Sequence, residues 1–519
     1  MHFGFSYIGL IYLIMLFVPN IKWAKNKPKD YDQYVKKENR ILLAFERTGE
    51  IISSALVLVF SDFNLHRWTL WSLWLVASFL LMILYELYWL RYFKSEKTMR
   101  DQYCSFCGFP AAGASLPVAA FFLLGIYGIN IWLIIAAIIL GIGHIGIHLA
   151  HEKEVKGTNK KDPPALRILK WTGAILLIII FIVIIIPIGA RDIRFIKHQG
   201  NRIRGVEEQA YITLGGQKQY VLMMGKDVSN PVIVYLHGGP AAPDTAMMFT
   251  FADLLMDEFT FVGWDQRGAG RTYYRNSSSD PDNSTTSFEN ALQDVDELVD
   301  YALTRFGKDK VIIMGHSYGT ILGSQYVLLH PEKVSDYIGV GQVVSSEKGD
   351  LMSYEDAMKK AKASGADTSE MEKRYETFMS DRTLKNMIML RDPVSVFHPA
   401  AKTANAPWLG MSSPYFGIDD LKWFILQVSS LDDYLALNSR LFDYIMTYDA
   451  YDCGTDYQVP VYFISGSEDW ICPVELIREY MDDIKAPKKD FKLIEGSGHS
   501  PHTDYPEEFA NCVRDVLSD

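Results

Sequence analysis

Cysteine is scarce in this chain. Its five cysteines in 519 residues, Cys104, Cys107, Cys453, Cys472 and Cys512, are too few and too scattered for a disulfide framework, and they leave the redox compartment open. Cys104 and Cys107 form a single C-x-x-C with no second pair, so two packed thiols are the simpler reading than a zinc or redox site. Basic charge is also short. Lys and Arg number 51 against 62 Asp and Glu, a net charge of -11, and no clustered basic patch is apparent in the C-terminal half. Phosphate binding needs such a patch, so nucleic acid is not expected as a partner. No basic residue precedes the first apolar run, whose charges follow it at Lys22, Lys25, Lys27 and Lys29; a cleaved signal peptide has the opposite order.

Long apolar runs are plentiful, but only in the first part of the chain. Up to about Pro187 they alternate with short charged stretches, and the remainder has the mixed composition of a soluble enzyme. The sequence therefore divides into an all-α transmembrane domain over residues 1–190 and an α/β domain over 191–519. A span needs about 20 apolar residues, and about six runs qualify, near 3–19, 48–65, 69–90, 109–128, 130–149 and 168–188. The third is flanked by Trp68, Trp71 and Trp74 and by Tyr85, Tyr88 and Trp89, rings suited to the interface. Glu50 and Asp62 fall in the second and Pro110 and Pro117 in the fourth, which makes these two candidates for broken or re-entrant helices.

Loop charges set the expected orientation. The first loop carries Lys22 through Arg40, the third Arg91, Lys94, Lys97 and Arg100, and the fifth Lys153, Lys156, Lys160, Lys161 and Arg167. The second offers only Arg67 and the fourth no basic residue. The odd loops are then cytoplasmic, and an even number of spans puts the C-terminal domain outside, in a multi-pass protein of the cell membrane. Arg191, Arg194, Lys197, Arg202 and Arg204 point the other way, but charges leading into a large translocated domain bias topology less than short loops do. His144, His148 and His151 share one helix face at the end of the fifth run. They read either as a polar helix end or as a metal, proton or ligand site that also uses Glu50 or Glu86.

From about residue 206 the pattern changes. Ala210–Leu214 and Gln219–Met224 alternate around Gly215-Gly216, a hairpin. The apolar run Pro231–Leu236 ends in His237-Gly238-Gly239-Pro240, and Phe259–Trp264 ends in Asp265-Gln266-Arg267-Gly268. After a helix over about Ser287–Phe306, the strand Val311–Met314 runs into Gly315-His316-Ser317-Tyr318-Gly319 and then into a helix. Strand, G-x-S-x-G and helix in that order are the context of a nucleophile elbow, with Ser317 as the nucleophile. A serine hydroxyl needs a base, and the base an orienting acid. Val459–Ile464 leads to Glu468 and Asp469, and Phe491–Ile494 leads to His499 and then His502. Asp469 and His499 are preferred by position in their loops; Glu468 is the competing acid and His502, read as a surface residue, the competing base.

These four motifs together, HGGP at 237–240, WDQRG at 264–268, the Ser317 elbow and Gly498-His499, resemble the proline iminopeptidase family of α/β-hydrolases over about residues 206–519. The resemblance implies a mostly parallel sheet with helices on both faces and a helical cap, here about residues 345–452. It further implies an oxyanion hole built from the backbone N–H groups of Gly239 and Tyr318, each donor worth about 10²–10³ in rate. No metal and no organic cofactor is called for. Ala241 and Tyr318 depart from the family's usual glycine and tryptophan. Family members hold the substrate's free amine with cap carboxylates, for which the candidates are Glu347, Glu355, Glu370, Glu372, Glu376, Asp432 and Asp433; Trp408, Tyr415, Phe416, Trp423 and Phe424 are candidates for an apolar pocket.

The expected protein is thus a membrane-anchored serine hydrolase, a proline iminopeptidase-like aminopeptidase acting on small peptides. Alternatives are an esterase or lipase on apolar or membrane-derived esters, and a receptor or transporter component whose hydrolase-like domain only binds ligand. Serine at the elbow argues against epoxide hydrolase and dehalogenase chemistry, which need a carboxylate there. The oligomeric state is left open.

Overall fold

The computed structural model describes residues 3–33, 39–65, 72–103, 105–155 and 204–518. Its contacts divide the chain into two compact units, Met1–Ile178 and Ile179–Asp519.

The first unit is helical. Its helices are α1 (Tyr7–Ala24), α2 (Arg40–Val59), α3 (Leu73–Lys94), the short α4 (Met99–Gln102), α5 (Ala112–Tyr127) and α6 (Ile131–Val155). Side chains that satisfy the first free N–H groups start several of them. Ser6 accepts from Gly9, Asn39 from Ile41 and Leu42, and Thr98 and Asp101 bond each other's backbone in a capping box. Among the described residues three helices are long and apolar enough to cross a membrane, α1, α3 and α6. Six spans are therefore not established. The fourth expected run is the 16-residue α5, with Pro117 inside it. The second begins earlier than expected and carries Arg40, Glu46, Arg47 and Glu50 on its first half; it ends at Val59, so Asp62 lies in the turn beyond it. The sixth run, 168–188, and Cys104 lie outside the described residues, while Cys107 is an exposed thiol.

α2 and α6 touch backbone to backbone. A Cβ at Gly143 would lie 2.1 Å from the nitrogen of Glu46, and one at Gly49 2.4 Å from that of Leu140. This approach sets His144 Nδ1 against Glu46 Oε1 at 2.5 Å. The three histidines do share a face of α6, with the His148 ring 4.5 Å from His144 and 4.7 Å from Tyr103. His144 meets Glu46, one turn from the expected Glu50, because the glycine contacts fix the register of the two helices, and His151 Nδ1 lies 3.5 Å from Glu154 on its own helix.

The second unit is built on eight strands: β1 (Val206–Leu214), β2 (Gln217–Gly225), β3 (Val232–Leu236), β4 (Thr260–Trp264), β5 (Val311–His316), β6 (Val334–Val340), β7 (Val461–Gly466) and β8 (Lys489–Ile494). The sheet order is β1-β2-β4-β3-β5-β6-β7-β8, antiparallel at β1, β2 and β4 and parallel from β4 to β8. Gly215 and Gly216 both have positive φ, +49° and +76°, and close the β1–β2 hairpin with Leu214 facing Gln217. The central strands are buried on both faces, as parallel strands covered by helices must be. Val232, Val234 and Leu236 face a core shared with the helix Phe288–Phe306, while Ile233 and Tyr235 face another with Phe251 and Phe509. Between β6 and β7 the chain leaves the sheet for eight helices, Ser346–Ser364 through Ala450–Cys453, which form the cap.

Candidate active site

The elbow follows from close packing at its glycines. β5 ends at His316 and the helix Tyr318–Leu329 begins two residues later, so strand and helix nearly collide. A Cβ at Gly315 would come within 2.4 Å of the carbonyl oxygen of Gly319, and one at Gly319 within 2.0 Å of that of Leu236. Ser317, on the turn itself, takes φ +52° and ψ -121°, a strained conformation for a residue with a side chain and the one an elbow imposes. Its backbone N–H donates to Val340 O at 3.0 Å, tying the turn to β6.

Asp469 and His499 come from the loops after β7 and β8, on the edge where Ser317 emerges. His499 Nδ1 lies 2.9 Å from Asp469 Oδ2 and 3.0 Å from Oδ1. Asp469 is fully buried, and its Oδ1 also accepts from the N–H groups of Ile471 and Cys472 at 3.0 and 2.9 Å. These donors fix the carboxylate, which in turn holds the ring. Glu468 is exposed, with Oε1 3.4 Å from Ser467 Oγ, so of the two acids Asp469 is the one bonded to His499. Gly341, which the sequence did not mark, packs on this pair. It has φ +56°, and a Cβ there would lie 3.2 Å from both Asp469 Oδ2 and the His499 ring.

Two cavities meet at Ser317 and Gly239. The smaller, about 200 Å³, has mostly apolar walls, including Leu384, Met387, Ile388, Phe442, Ile445 and Leu476. The larger, about 660 Å³, also contains His499 and is rimmed by Asp244, His316, Arg391, Glu468 and His502. Gly239 has φ +120°, open to glycine alone, and Tyr318 supplies the first N–H of its helix, a group with no partner within the helix. The Tyr318 ring itself is buried.

The cap does not line the site as expected. None of Glu347, Glu355, Glu370, Glu372, Glu376, Asp432 and Asp433 borders either cavity. Glu347 pairs with Arg382, Glu370 with Arg374 and Asp432 with Lys385 on the surface. Trp408, Tyr415, Phe416, Trp423 and Phe424 are absent from the walls as well. Trp423 is buried against Ala241 and Tyr434, and Phe424, next to it on the helix, faces outward at 45% exposure. Arg391, from the cap helix Leu384–Ser395, is the cap's charged contribution to both cavities, and its Nε donates to the buried Asp350 at 2.7 Å.

His502 is 2% exposed, not a surface residue. Its Nε2 lies 3.4 Å from Asp244 Oδ2, and its ring 4.4 Å from that of His316. His316 Nε2 in turn reaches the carbonyl oxygen of His499 at 3.0 Å. Burial, together with His502 and His499 nearby, pushes the His316 imidazole well below its ordinary range. At Asp244 burial works against the ionised form, but the neighbouring imidazoles of His502, His316 and His237 together outweigh it and hold the carboxyl below the ordinary range.

The WDQRG segment is structural. Arg267 and Asp294 form a buried bidentate pair at 2.7 Å. Gln266 grips His237, its N–H donating to Nε2 at 3.1 Å and its side chain to the His237 carbonyl at 2.8 Å, which anchors the HGGP turn.

An open parallel sheet carrying a serine elbow and an Asp–His pair on its C-terminal edge defines the α/β-hydrolase class. The profile of the family described as "Alpha/beta hydrolase family" matches residues 233–511, and the chain belongs to that family and is a hydrolase. Among its relatives, the "Probable aminopeptidase YbaC" of Bacillus subtilis (strain 168) is 26% identical over 307 residues, which cover 58% of this chain and 93% of that protein. The "Proline iminopeptidase PfmaB" of Pestalotiopsis fici is also 26% identical over 307 residues, covering 58% and 96%. The crystal structure of a proline iminopeptidase from Mycobacterium smegmatis covers 60% of this chain and 98% of its own at 16% identity, with a TM-score of 0.44.

Proposed function

We propose that this chain is a membrane-anchored serine hydrolase that works through a Ser317–His499–Asp469 triad and an acyl-enzyme, and that its substrates are small peptides with a free amino terminus. The observation that carries the reading is that His499, held by the buried Asp469, lines one cavity with the strained Ser317 elbow and Gly239. In the forward half-reaction Ser317 Oγ attacks the scissile carbonyl carbon while His499 Nε2 takes its proton. Asp469, on Nδ1, keeps the ring in the tautomer that leaves Nε2 free and stabilises the imidazolium. The backbone N–H groups of Gly239 and Tyr318 receive the oxyanion. As the C–N bond breaks, the leaving amine takes the proton from His499; water then repeats the sequence on the ester and frees Ser317. Peptide specificity rests on the named aminopeptidase and iminopeptidase relatives.

A second reading, an esterase for apolar acyl groups, is favoured by one observation: the 200 Å³ arm is walled largely by aliphatic and aromatic side chains, and no cap carboxylate reaches either cavity. Turnover of aminoacyl amides, their N-acetylated counterparts and acyl esters by the full-length chain separates the two. The peptidase reading expects free aminoacyl amides to be cleaved and acetylation to abolish cleavage. Equal turnover of blocked and free amides, or esters alone, favours the esterase.

α1, α3 and α6 are read as part of a membrane anchor with an even number of crossings, which puts the hydrolase unit outside the cell.

A further inference from the structure

Beside the Asp469–His499 pair lies a second cluster that the mechanism does not use. Asp244 arrives from the loop after β3, His316 is the last residue of β5, and His502 sits in the short helix Pro501–Asp504. One nitrogen from each imidazole and one carboxylate oxygen lie within 4.8 Å of one another. We propose that Asp244, His316 and His502 bind a zinc-class divalent cation, and that this ion inhibits the hydrolase from within its own substrate cavity.

The separation of His502 Nε2 and Asp244 Oδ2, 3.4 Å, is long for a hydrogen bond. It is close to the spacing of about 3.3 Å between two ligands each bound at about 2.0–2.1 Å around a tetrahedral ion. Outer hydrogen bonds of the kind that orient metal ligands are in place. Tyr235 OH donates to Asp244 Oδ2 at 2.7 Å, and His316 Nε2 meets the His499 carbonyl at 3.0 Å, a bond that assigns the hydrogen to Nε2 and the lone pair to Nδ1. Asp244 Oδ1 is buried and has no hydrogen-bond partner among the described residues, so the carboxylate keeps capacity for a further contact. Two imidazoles and one carboxylate suit zinc, whereas magnesium and calcium prefer oxygen ligands throughout.

Three protein ligands leave a coordination position open. All three residues line the 660 Å³ cavity that holds Ser317 and His499, so an ion reaches them by the substrate's route and its open position is available to water or to a substrate oxygen. Bound there, it obstructs that arm of the site and immobilises His316, which precedes the nucleophile and holds the backbone of His499. A rival set, Asp469, Cys472 and His499, meets the same distance limit. Its carboxylate is already engaged by two backbone N–H groups and by His499, which leaves it the poorer ligand.

The test is zinc chloride titrated into chelator-stripped full-length protein in detergent micelles, followed by calorimetry and by hydrolysis rate, with fluorophosphonate labelling of Ser317 as the check on folding. The expected result is one zinc per chain, loss of activity in step with occupancy, and no heat from magnesium chloride. Tyr235→Phe, which keeps all three ligands, should weaken zinc about 10–100-fold. Asp244→Asn and His502→Asn should weaken it further, and Cys472→Ser should leave it unchanged. Calorimetry on Ser317→Ala reads the ion independently of the catalytic assignment, so the two proposals fail separately. Absence of zinc binding, an affinity indifferent to Tyr235→Phe and Asp244→Asn, or its loss in Cys472→Ser would each overturn the site.

Discussion

Ser317 holds an unfavourable backbone conformation, +52° in φ, because the glycines on either side let β5 and its following helix close on it. The strain is useful only if the exposed hydroxyl is the reacting group. Ser317→Ala should therefore lower turnover by about 10⁶ and abolish fluorophosphonate labelling while the protein stays folded, since the members of a triad act as one unit. Retention of every activity by that variant would remove the serine hydrolase assignment. The two candidate acids separate in the same assay. Asp469→Asn places an amide on His499 Nδ1 and selects the wrong tautomer, at a cost of about 10⁴; Glu468→Gln, at an exposed carboxylate, should change the rate less than about threefold. At this scale the sequence was legible wherever a motif fixes a backbone shape, as at the elbow and at His499. It was not legible where residues from separate loops converge. Gly341, Asp244 and His316 carry no local signal of the partners they meet, and His502 read as a surface residue because only the tertiary fold lays it over Tyr235 and Phe251.

Elements that obey a simple period were foreseen closely. The strand expected at Phe259–Trp264 is Thr260–Trp264, and the hairpin forms at the glycine pair that marked it. Cap helices were not, because which face of each turns toward the site depends on packing that sequence period does not encode; Trp423 and Phe424 are neighbours with opposite fates. What joins cap to sheet is partly ionic. Arg271 Nε donates to Asp420 Oδ2 at 2.8 Å across the cap boundary, and the backbone N–H of the same residue lies 3.4 Å from Asp265 Oδ2. Burial raises the Asp420 carboxyl from 3.8 to about 6, against the pull of Arg271 and with the help of Asp265. A folded value above the unfolded one means the folded state binds the proton more tightly. The stability this contributes is full below the unfolded value and is lost as pH rises through about 6. The thermal midpoint of the hydrolase unit should accordingly fall as pH rises from about 4 to about 6, and Asp420→Asn should flatten that slope; an unchanged slope in the variant would assign the dependence to other groups. Arg267 is a different case, since Asp294 beside it is wholly buried. Arg267→Ala strands that carboxylate and should cost about 3–5 kcal/mol in denaturant unfolding.

At the scale of the whole molecule, the chain joins a helical unit with three spans' worth of long apolar helix to a hydrolase unit, and the side of the membrane on which the second unit lies decides which substrates it meets. The basic residues follow a pattern. They crowd the stretches after α1, after α3 and after α6, and are nearly missing between α2 and α3 and between α5 and α6. Basic residues in short loops stay on the cytoplasmic side, and this alternation is the one expected if the charged α2 and the shorter α5 cross as well. On the proposed orientation α6 ends inside. The proposed exterior placement of the hydrolase unit requires the apolar run 168–188 to return the chain across the membrane, and small peptides from the surroundings would then be its accessible substrates. Protease added to intact cells should cut the hydrolase unit and release it from the membrane, and the released activity should be inhibited by a fluorophosphonate that does not cross the bilayer. If the unit is cut only after the membrane is permeabilised, the run 168–188 does not cross, and the substrates are cytoplasmic. A fourfold charge reversal distinguishes a miscounted span from a misjudged orientation. Replacing Lys153, Lys156, Lys160 and Lys161 by glutamate removes the cytoplasmic anchor after α6, and an orientation set by that loop should become mixed, with part of the hydrolase unit newly protected.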